Sequence, residues 1–376
     1  MKLAIISHTE HYKLADGTIV GWGPTITEIN FLAQIFDEIY HIAMFHDVEA
    51  PESSMPYTSD KIKFVPIKPS GGHSILDKIK VALTAPRVIK TVNSVLKKTD
   101  CFQLRAPTGI GVFLIPYLTI FSKKKGWYKY AGNWNQQSPP LGYALQRFML
   151  KHQNRKVTIN GSWPNQKTHC LSFENPCLTE SDLENGVRVR NAKNNNGSIN
   201  FCYAGRLERE KGVERIIKAF NNLDEEMSSN VGTVHLVGNG TEIEYFKNLC
   251  EKSRIDFVFH GFLPTDRLFQ IYESSHFFIM PTTASEGFPK VIAEAMNFGC
   301  LPIVSNISSI GQYVTDGKNG FLISPVNEGN VLKAITQALT MPSQDYNQFV
   351  TENDNIVRKF SYTYYVERIK MLLSEK

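Results

Sequence analysis

A chain of 376 residues is too long for one ordinary hydrophobic core, so more than one domain is expected. Hydrophobic residues make up 42% and charged residues 20%, which excludes a disordered chain. The net charge of +5 is uneven: residues 1–176 hold 21 Lys and Arg against 12 Asp and Glu, whereas residues 177–376 hold 20 against 24. Such a split suits a different partner for each half, or is ordinary surface charge. The six cysteines make no CxxC pair, so neither a zinc ribbon, a thioredoxin motif nor a disulfide framework is expected.

In chain order, the opening MKLAIISHTE reads as a first strand, Leu3–Ser7, and not as a signal peptide. Apolar residues at helical spacing predict a helix over Thr25–Phe36, followed by a strand over Glu38–Phe45. Further strands are expected at Ile62–Ile67, Cys101–Leu104 and Val157–Asn160, with helices between them. The longest apolar stretch, Gly109–Phe121, falls short of the roughly 20 residues that span a bilayer. NAKNNNGSIN (191–200) marks a surface break. The alternation then restarts: strands at 201–204, 233–237, 257–260, 277–280 and 301–304, helices at 213–220, 241–250 and 289–298, and a last helix near 362–373. The pattern predicts an α/β protein of two doubly wound Rossmann-like domains around a central cleft, with ligands at the carboxyl ends of the strands. The expected division is an N-terminal domain over 1–178, a linker over 179–200, a C-terminal domain over 201–360, and a C-terminal helix over 361–376 packing back on the first domain.

Two constellations carry chemistry. In YAGRLEREKGV (203–213), Arg206 and Lys211 flank a loop beyond a strand end. Two cations there suit a diphosphate; the plainer alternative is a solvated loop whose Glu208 and Glu210 pair locally. In SEGFPKVIAEAM (285–296), Pro289 suits a first helical turn and Gly287 a close backbone approach, with nearby amides placed for an anion. Glu286 precedes the helix and Glu294 lies two turns into it among apolar neighbours, either facing the cleft or lying on a solvent face. The Gly238-Asn239-Gly240 triplet fails the GxGxxG pattern, because position 243 is Ile, and reads as a tight turn.

Taken together, these motifs resemble the family 4 glycosyltransferases of GT-B fold. HLVGNGTEIEYF (235–246), FVFHGFLPTDRLFQIYESSHFFIMPT (257–282) and GCLPIVSNISSIGQYVTDGKNGFLI (299–323) extend the resemblance over residues 201–340. The resemblance implies that Arg206 and Lys211 hold the donor diphosphate and Glu294 the nucleotide ribose. It places Glu286 beside the donor sugar, with the Gly287, Phe288 and Pro289 backbone near the sugar and distal phosphate. It also implies retention of anomeric configuration, the leaving phosphate assisting the incoming hydroxyl. There is no DxD motif, so cations and amides, not a metal, would neutralise the diphosphate, and no cofactor is expected.

The first half departs from the family. Gly21-Trp22-Gly23-Pro24 fits its Gly-rich loop, after an unusually long HTEHYKLADGTIV lead-in, which makes Gly23 a donor-side candidate and Trp22 an acceptor-side one. Arg105 stands where many members carry a histidine, and is either a cleft residue or structural. His8 and His11 lie near the first strand end, as acceptor-side groups or surface loop histidines. KKKGWYKY (123–130) interleaves basic and aromatic residues, suiting an anionic membrane or a lipid-diphosphate acceptor, or else a helix end, a turn and a buried strand. Nucleic acid is not an expected partner. The expectation is a cytoplasmic retaining transferase, free or peripheral on the inner face of the membrane, moving sugar from a nucleotide-sugar donor to a glycan or lipid-linked acceptor, in surface polysaccharide or glycolipid assembly. A non-catalytic nucleotide-sugar-binding protein and a GT-B sugar-nucleotide epimerase are the rival readings.

Overall fold

The computed structural model describes residues 1–72 and 75–374. The chain divides into two compact units, residues 1–174 with 365–376, and residues 175–364.

The first unit contains β1 (Lys2–Lys13), β2 (Ile19–Trp22), α1 (Gly23–Leu32), β3 (Glu38–Phe45), β4 (Ser54–Pro56), β5 (Ile62–Ile67) and α2 (Ile75–Leu96). There follow β6 (Cys101–Ala106), α3 (Gly111–Phe121), β7 (Lys125–Tyr130), α4 (Leu141–Lys151), β8 (Val157–Ile159) and β9 (Cys170–Ser172). Strands β5, β3, β1, β6, β7, β8 and β9 lie side by side, all parallel. The alternation of a strand sorts its residues between the two faces. Ala4 and Ile6 pack with residues of α2, α3 and α4, such as Val92, Leu114 and Leu150. Leu3 and Ile5 pack with Ile29 and Leu32 of α1 on the opposite face.

The long lead-in is a hairpin: the end of β1 pairs antiparallel with β2, His11 opposite Gly21, and β2 pairs with β4. A register shift between Ile6 and Glu10 bulges β1 at Ser7–Thr9. His11 is therefore buried inside the hairpin, where the sequence left open a surface loop. Of the two readings of 123–130, the strand prevails: Trp127, Tyr128, Lys129 and Tyr130 are buried in β7, so its aromatic residues reach no membrane.

The second unit opens with α5 (Glu180–Ala192), β10 (Ile199–Ala204), α6 (Val213–Asn221), α7 (Glu225–Ser229), β11 (Val231–Val237) and α8 (Ile243–Cys250). It continues through β12 (Asp256–Gly261), α9 (Thr265–Ser274), β13 (Phe277–Met280), α10 (Lys290–Asn297), β14 (Leu301–Ser305) and β15 (Phe321–Ile323). The chain closes with α11 (Glu328–Leu339), α12 (Ser343–Glu352), α13 (Asp354–Val357) and α14 (Tyr362–Ser374), the last belonging to the first unit from Tyr365 onward. All six strands are parallel in the order β12-β11-β10-β13-β14-β15, the dinucleotide-fold order, with its topological switch between β10 and β13.

Residues 179–200 are not the linker expected. Thr179 caps α5 in a reciprocal capping box with Asp182, and Leu183 joins the second unit's core. Arg190 donates to the carbonyl of Asn297 and pairs with Asp354. The boundary therefore falls at residue 174/175.

In the first unit, Glu28 on α1 is buried and binds two cations, Arg105 Nη2 at 2.8 Å and Lys129 Nζ at 2.6 Å. Tyr365 Oη of α14 donates to Glu28 Oε1 at 2.7 Å, fastening the last helix to α1. Removing one partner of a buried ion cluster leaves uncompensated charge. Glu28→Ala is expected to lose about 3–5 kcal/mol of stability and Tyr365→Phe about 1 kcal/mol, measured by urea unfolding.

Candidate functional site

The second unit's switch point lies beyond the carboxyl ends of β10 and β13, and two loops meet there. The loop after β10 runs from Gly205 through a short 3-10 turn, Arg209–Lys211, into α6. The loop after β13 runs from Pro281 to Pro289 and into α10. The carbonyl of Glu210 joins them, accepting from Thr283 N at 2.8 Å and from the hydroxyls of Thr282 and Thr283 at 3.2 Å. Gly212 makes this approach possible: its φ is +97°, and a Cβ there would lie 2.4 Å from the carbonyl oxygen of Pro281. Tyr203 Oη donates to the Arg206 carbonyl at 2.7 Å and braces the turn.

The sequence-predicted residues take distinct places. Lys211, its side chain 8% exposed, ion-pairs with Glu286 across the two loops. An ammonium carries three donors, so Glu286 orients Lys211 while leaving donors for another anion. Arg206 is 69% exposed and pairs with Glu208 at 2.9 Å. Local pairing with Glu208 was one of the two readings of this loop, and it holds for Arg206 but not for Lys211. Gly287 lies in the loop between Glu286 and the helix. Pro289 stands one residue before α10, as its N-cap, and not within the first turn. Phe288 packs into the core against Tyr313 and Phe360, so only its backbone remains for a ligand.

Glu294 is not within hydrogen-bonding reach of Lys211 or Glu286. It lies half-buried on α10, and its carboxylate makes no hydrogen bond to any described residue. Burial pushes its pKa up to about 7, opposed by Lys290 and assisted by Asp182. A carboxylate held this way without a protein partner is suited to hydroxyl donors from a ligand. Thr282 and Thr283, which the sequence did not single out, complete the junction. Gly238, within the Gly-Asn-Gly triplet, serves packing: a Cβ there would lie 1.9 Å from the Gly205 carbonyl oxygen. Among the described residues no three His, Cys, Asp or Glu side chains group closely enough to hold a metal ion.

The first unit's candidates are mostly committed to structure. Arg105 does not stand free as an acceptor-side residue: it is spent on Glu28, on Gln103 Oε1 at 3.1 Å and on Thr25 Oγ1 at 3.3 Å. Gly23 does not offer its amide to a donor, because that N–H donates to the Ser53 carbonyl at 3.0 Å and a Cβ would lie 2.8 Å from the same oxygen. Trp22 is half-exposed at the start of α1. His8 sits in the β1 bulge, 3.4 Å from Ser70 Oγ and against Gly109, at the carboxyl ends of the central strands. Burial lowers its pKa, which keeps the imidazole neutral near pH 7.

Residues 188–355 match the family of glycosyl transferases group 1. Lipopolysaccharide 1,2-N-acetylglucosaminetransferase of Salmonella typhimurium is 26% identical over 180 residues, 45% of this chain and 46% of that protein. The chain thus spans about half the length of such relatives. Anabaena Alr3699/HepE, solved with UDP and glucose, superposes over 100% of both chains with a TM-score of 0.69 at 16% identity. Sucrose-phosphate synthase of Thermosynechococcus elongatus covers 99% of this chain and 98% of its own, with a TM-score of 0.72 at 15% identity. The fold is GT-B, two Rossmann-like units in one chain.

Two outcomes follow from the geometry. Lys211→Ala should weaken nucleoside diphosphate binding by about 1.5–3 kcal/mol, roughly 10- to 150-fold, in calorimetry. Arg206→Ala should cost less, under about 1 kcal/mol, because its head group is solvated; full affinity in both variants would remove this loop from the site. An ionised Glu294 accepts hydroxyl donors at both oxygens and more strongly than the protonated acid, so affinity should rise between about pH 6 and pH 8 and lose this dependence in Glu294→Gln. The linked stability runs the other way. Its folded pKa of about 7 exceeds the ordinary glutamate value of 4.5, so its contribution is complete below 4.5 and is lost as pH rises through 7. Glu294→Gln should therefore gain stability relative to the parent at pH 8 but not at pH 4.

Proposed function

We propose that this protein is a retaining glycosyltransferase of the family 4 type, moving a sugar from a nucleotide-sugar donor to a glycan or lipid-linked acceptor. The observation that carries the reading is the junction at the second unit's switch point: a buried lysine oriented by Glu286, with the half-buried, hydrogen-bond-free Glu294 on the helix that follows. The match of residues 188–355 to glycosyl transferases group 1 covers the same elements. Lys211 and Arg206 would neutralise the diphosphate as it leaves, without a metal and without a resident cofactor. Charge fixed in advance at the leaving group lowers the barrier without reorganising at the moment of reaction. Glu294 would hold the ribose hydroxyls, and Glu286 would meet the sugar. The acceptor hydroxyl would come from the first unit, where His8, neutral and near the strand ends, is the candidate to contact it.

A panel of nucleotide sugars tested for thermal stabilisation identifies the donor, and transfer is then followed in excess chelator. Undiminished transfer with the anomeric configuration retained is expected; activity restored only by magnesium or manganese would defeat the charge-neutralisation argument. Glu294→Ala should weaken nucleotide and nucleotide sugar alike, by roughly 10- to 150-fold. Glu286→Ala should reduce turnover more than nucleoside diphosphate affinity. Bound donor with neither transfer nor hydrolysis would favour a non-catalytic sugar-nucleotide-binding protein.

A further inference from the structure

Between Asp100 and Glu174 the sequence contains no Asp or Glu, yet it holds ten Lys and Arg. Two of these, Arg105 and Lys129, are consumed by Glu28. Much of the remainder surrounds one layer of the first unit, the helices α2, α3 and α4, which share a core cluster on one face of the sheet. The outward side of that layer is unusual. On α4, Leu141, Leu145 and Phe148 follow helical spacing and are exposed, Leu141 to 90% and Phe148 to 60%. At the end of α3, Ile120 and Phe121 are exposed to 70% and 68%. Along α2 and the turn that ends it the exposed stripe is basic: Leu83 is followed by Arg87, Lys90 and Ser94 on the helix and by Lys97 just after it.

A cavity of about 620 Å³ opens between α2 and α3, lined by Asn93, Lys97, Tyr117, Phe121, Lys123 and Lys124 among others. Among the described residues, no carboxylate pairs with Lys97, Lys123 or Lys124. Tyr117 and Asn93 hydrogen-bond to each other at 2.6 Å and form part of its wall. The cavity therefore joins cationic head groups to exposed aromatic and aliphatic side chains.

We infer that the α2–α3–α4 face docks on an anionic lipid bilayer. Ile120, Phe121, Leu141, Leu145 and Phe148 would enter the interfacial layer, and Lys97, Lys123 and Lys124 would hold a lipid phosphate in the cavity. Isolated apolar residues on a surface need no explanation, but several on adjoining helices beside unneutralised cations mark an interaction surface. The charge selects the occupant. A second copy of this chain would bring like-charged faces together, whereas the negative surface of a bilayer attracts them. A nucleic acid would match the cations but leave the aliphatic stripe of α4 in water. None of these residues belongs to the donor site, so the inference stands apart from the proposed transfer activity.

The full chain is sedimented with phosphatidylcholine vesicles containing, or lacking, about one-third phosphatidylglycerol. The expected result is partition onto the anionic vesicles, weakened from 0.1 M to 1 M salt as the Debye length falls from about 10 Å to about 3 Å. Leu141→Ser/Leu145→Ser/Phe148→Ser and Lys97→Glu/Lys123→Glu/Lys124→Glu should each lower partition at least tenfold. The lysine triple variant should lose on the order of 100-fold, from about fivefold per charge near the surface. Both should keep the parent's melting temperature and its affinity for the nucleoside diphosphate of the donor that the panel identifies, which separates a docking defect from misfolding and from the donor reading. Equal binding to neutral and anionic vesicles, no binding, or retention of binding by both variants overturns the inference. A dimer in sedimentation velocity that the apolar variant abolishes also overturns it, in favour of self-association.

Discussion

A lysine that is 8% exposed either loses its charge or is paired, because desolvating an ammonium costs several kcal/mol. Lys211 is paired with Glu286, and that one ion pair spans the two loops on which the candidate site rests. Backbone geometry prepares it. Gly212 in the left-handed region lets the β10 loop lie on the Pro281 carbonyl, and the Glu210 carbonyl collects the hydroxyls and amide of Thr282 and Thr283. The pair thus works on a fixed platform. It stabilises the empty site, yet it leaves lysine donors unfilled, so a diphosphate adds to the arrangement without having to dismantle it.

The first unit applies the same rule for a different end. Glu28 there takes Arg105, Lys129 and Tyr365, groups from β6, β7 and α14, and closes them around α1. No capacity remains for a ligand, and the carboxylate is 3% exposed. The two acid–base clusters therefore differ in kind. One is saturated and structural, the other undersaturated and at a strand-end switch point. Coordination count and burial together separate them: Glu28 is 3% exposed and Glu286 40%.

This distinction explains what was legible in the sequence. A parallel strand buried on both faces gives a continuous apolar run, so Phe277–Met280 was readable to the residue, and the partly exposed edge strand Ile62–Ile67 was readable from its β-branched and aromatic residues. The loops after β10 and β13 were also readable, because glycine, proline and paired charges punctuate them. Short strands such as β4 and β9, of three residues, and β2, of four, carry too few residues to show a period, whereas the equally short β8 was legible from its β-branched run at Val157–Ile159. Thr179-Glu-Ser-Asp182 is a capping-box pattern that marks a helix start, so the helix over 180–192 is encoded locally and the asparagine run follows its end. Arg105 was not decidable from sequence, since its partner Glu28 lies 77 positions away.

The segment 123–130 shows how a correct composition can point to the wrong atoms. Its mixture of basic and aromatic residues is real, but the alternation of a buried strand places Trp127 and Tyr128 on opposite faces of the sheet, each inside a core. What reaches solvent is Lys123 in the turn before the strand, Lys125 at its first position, and the end of α3 with Ile120 and Phe121. The same charge, read on helices instead of the strand, acquires apolar neighbours that the linear sequence keeps more than fifteen residues apart, on α4. A parallel sheet makes this a general outcome. Its strands are buried on both sides, so any surface chemistry of such a unit has to be carried by the helices and the loops at the strand ends.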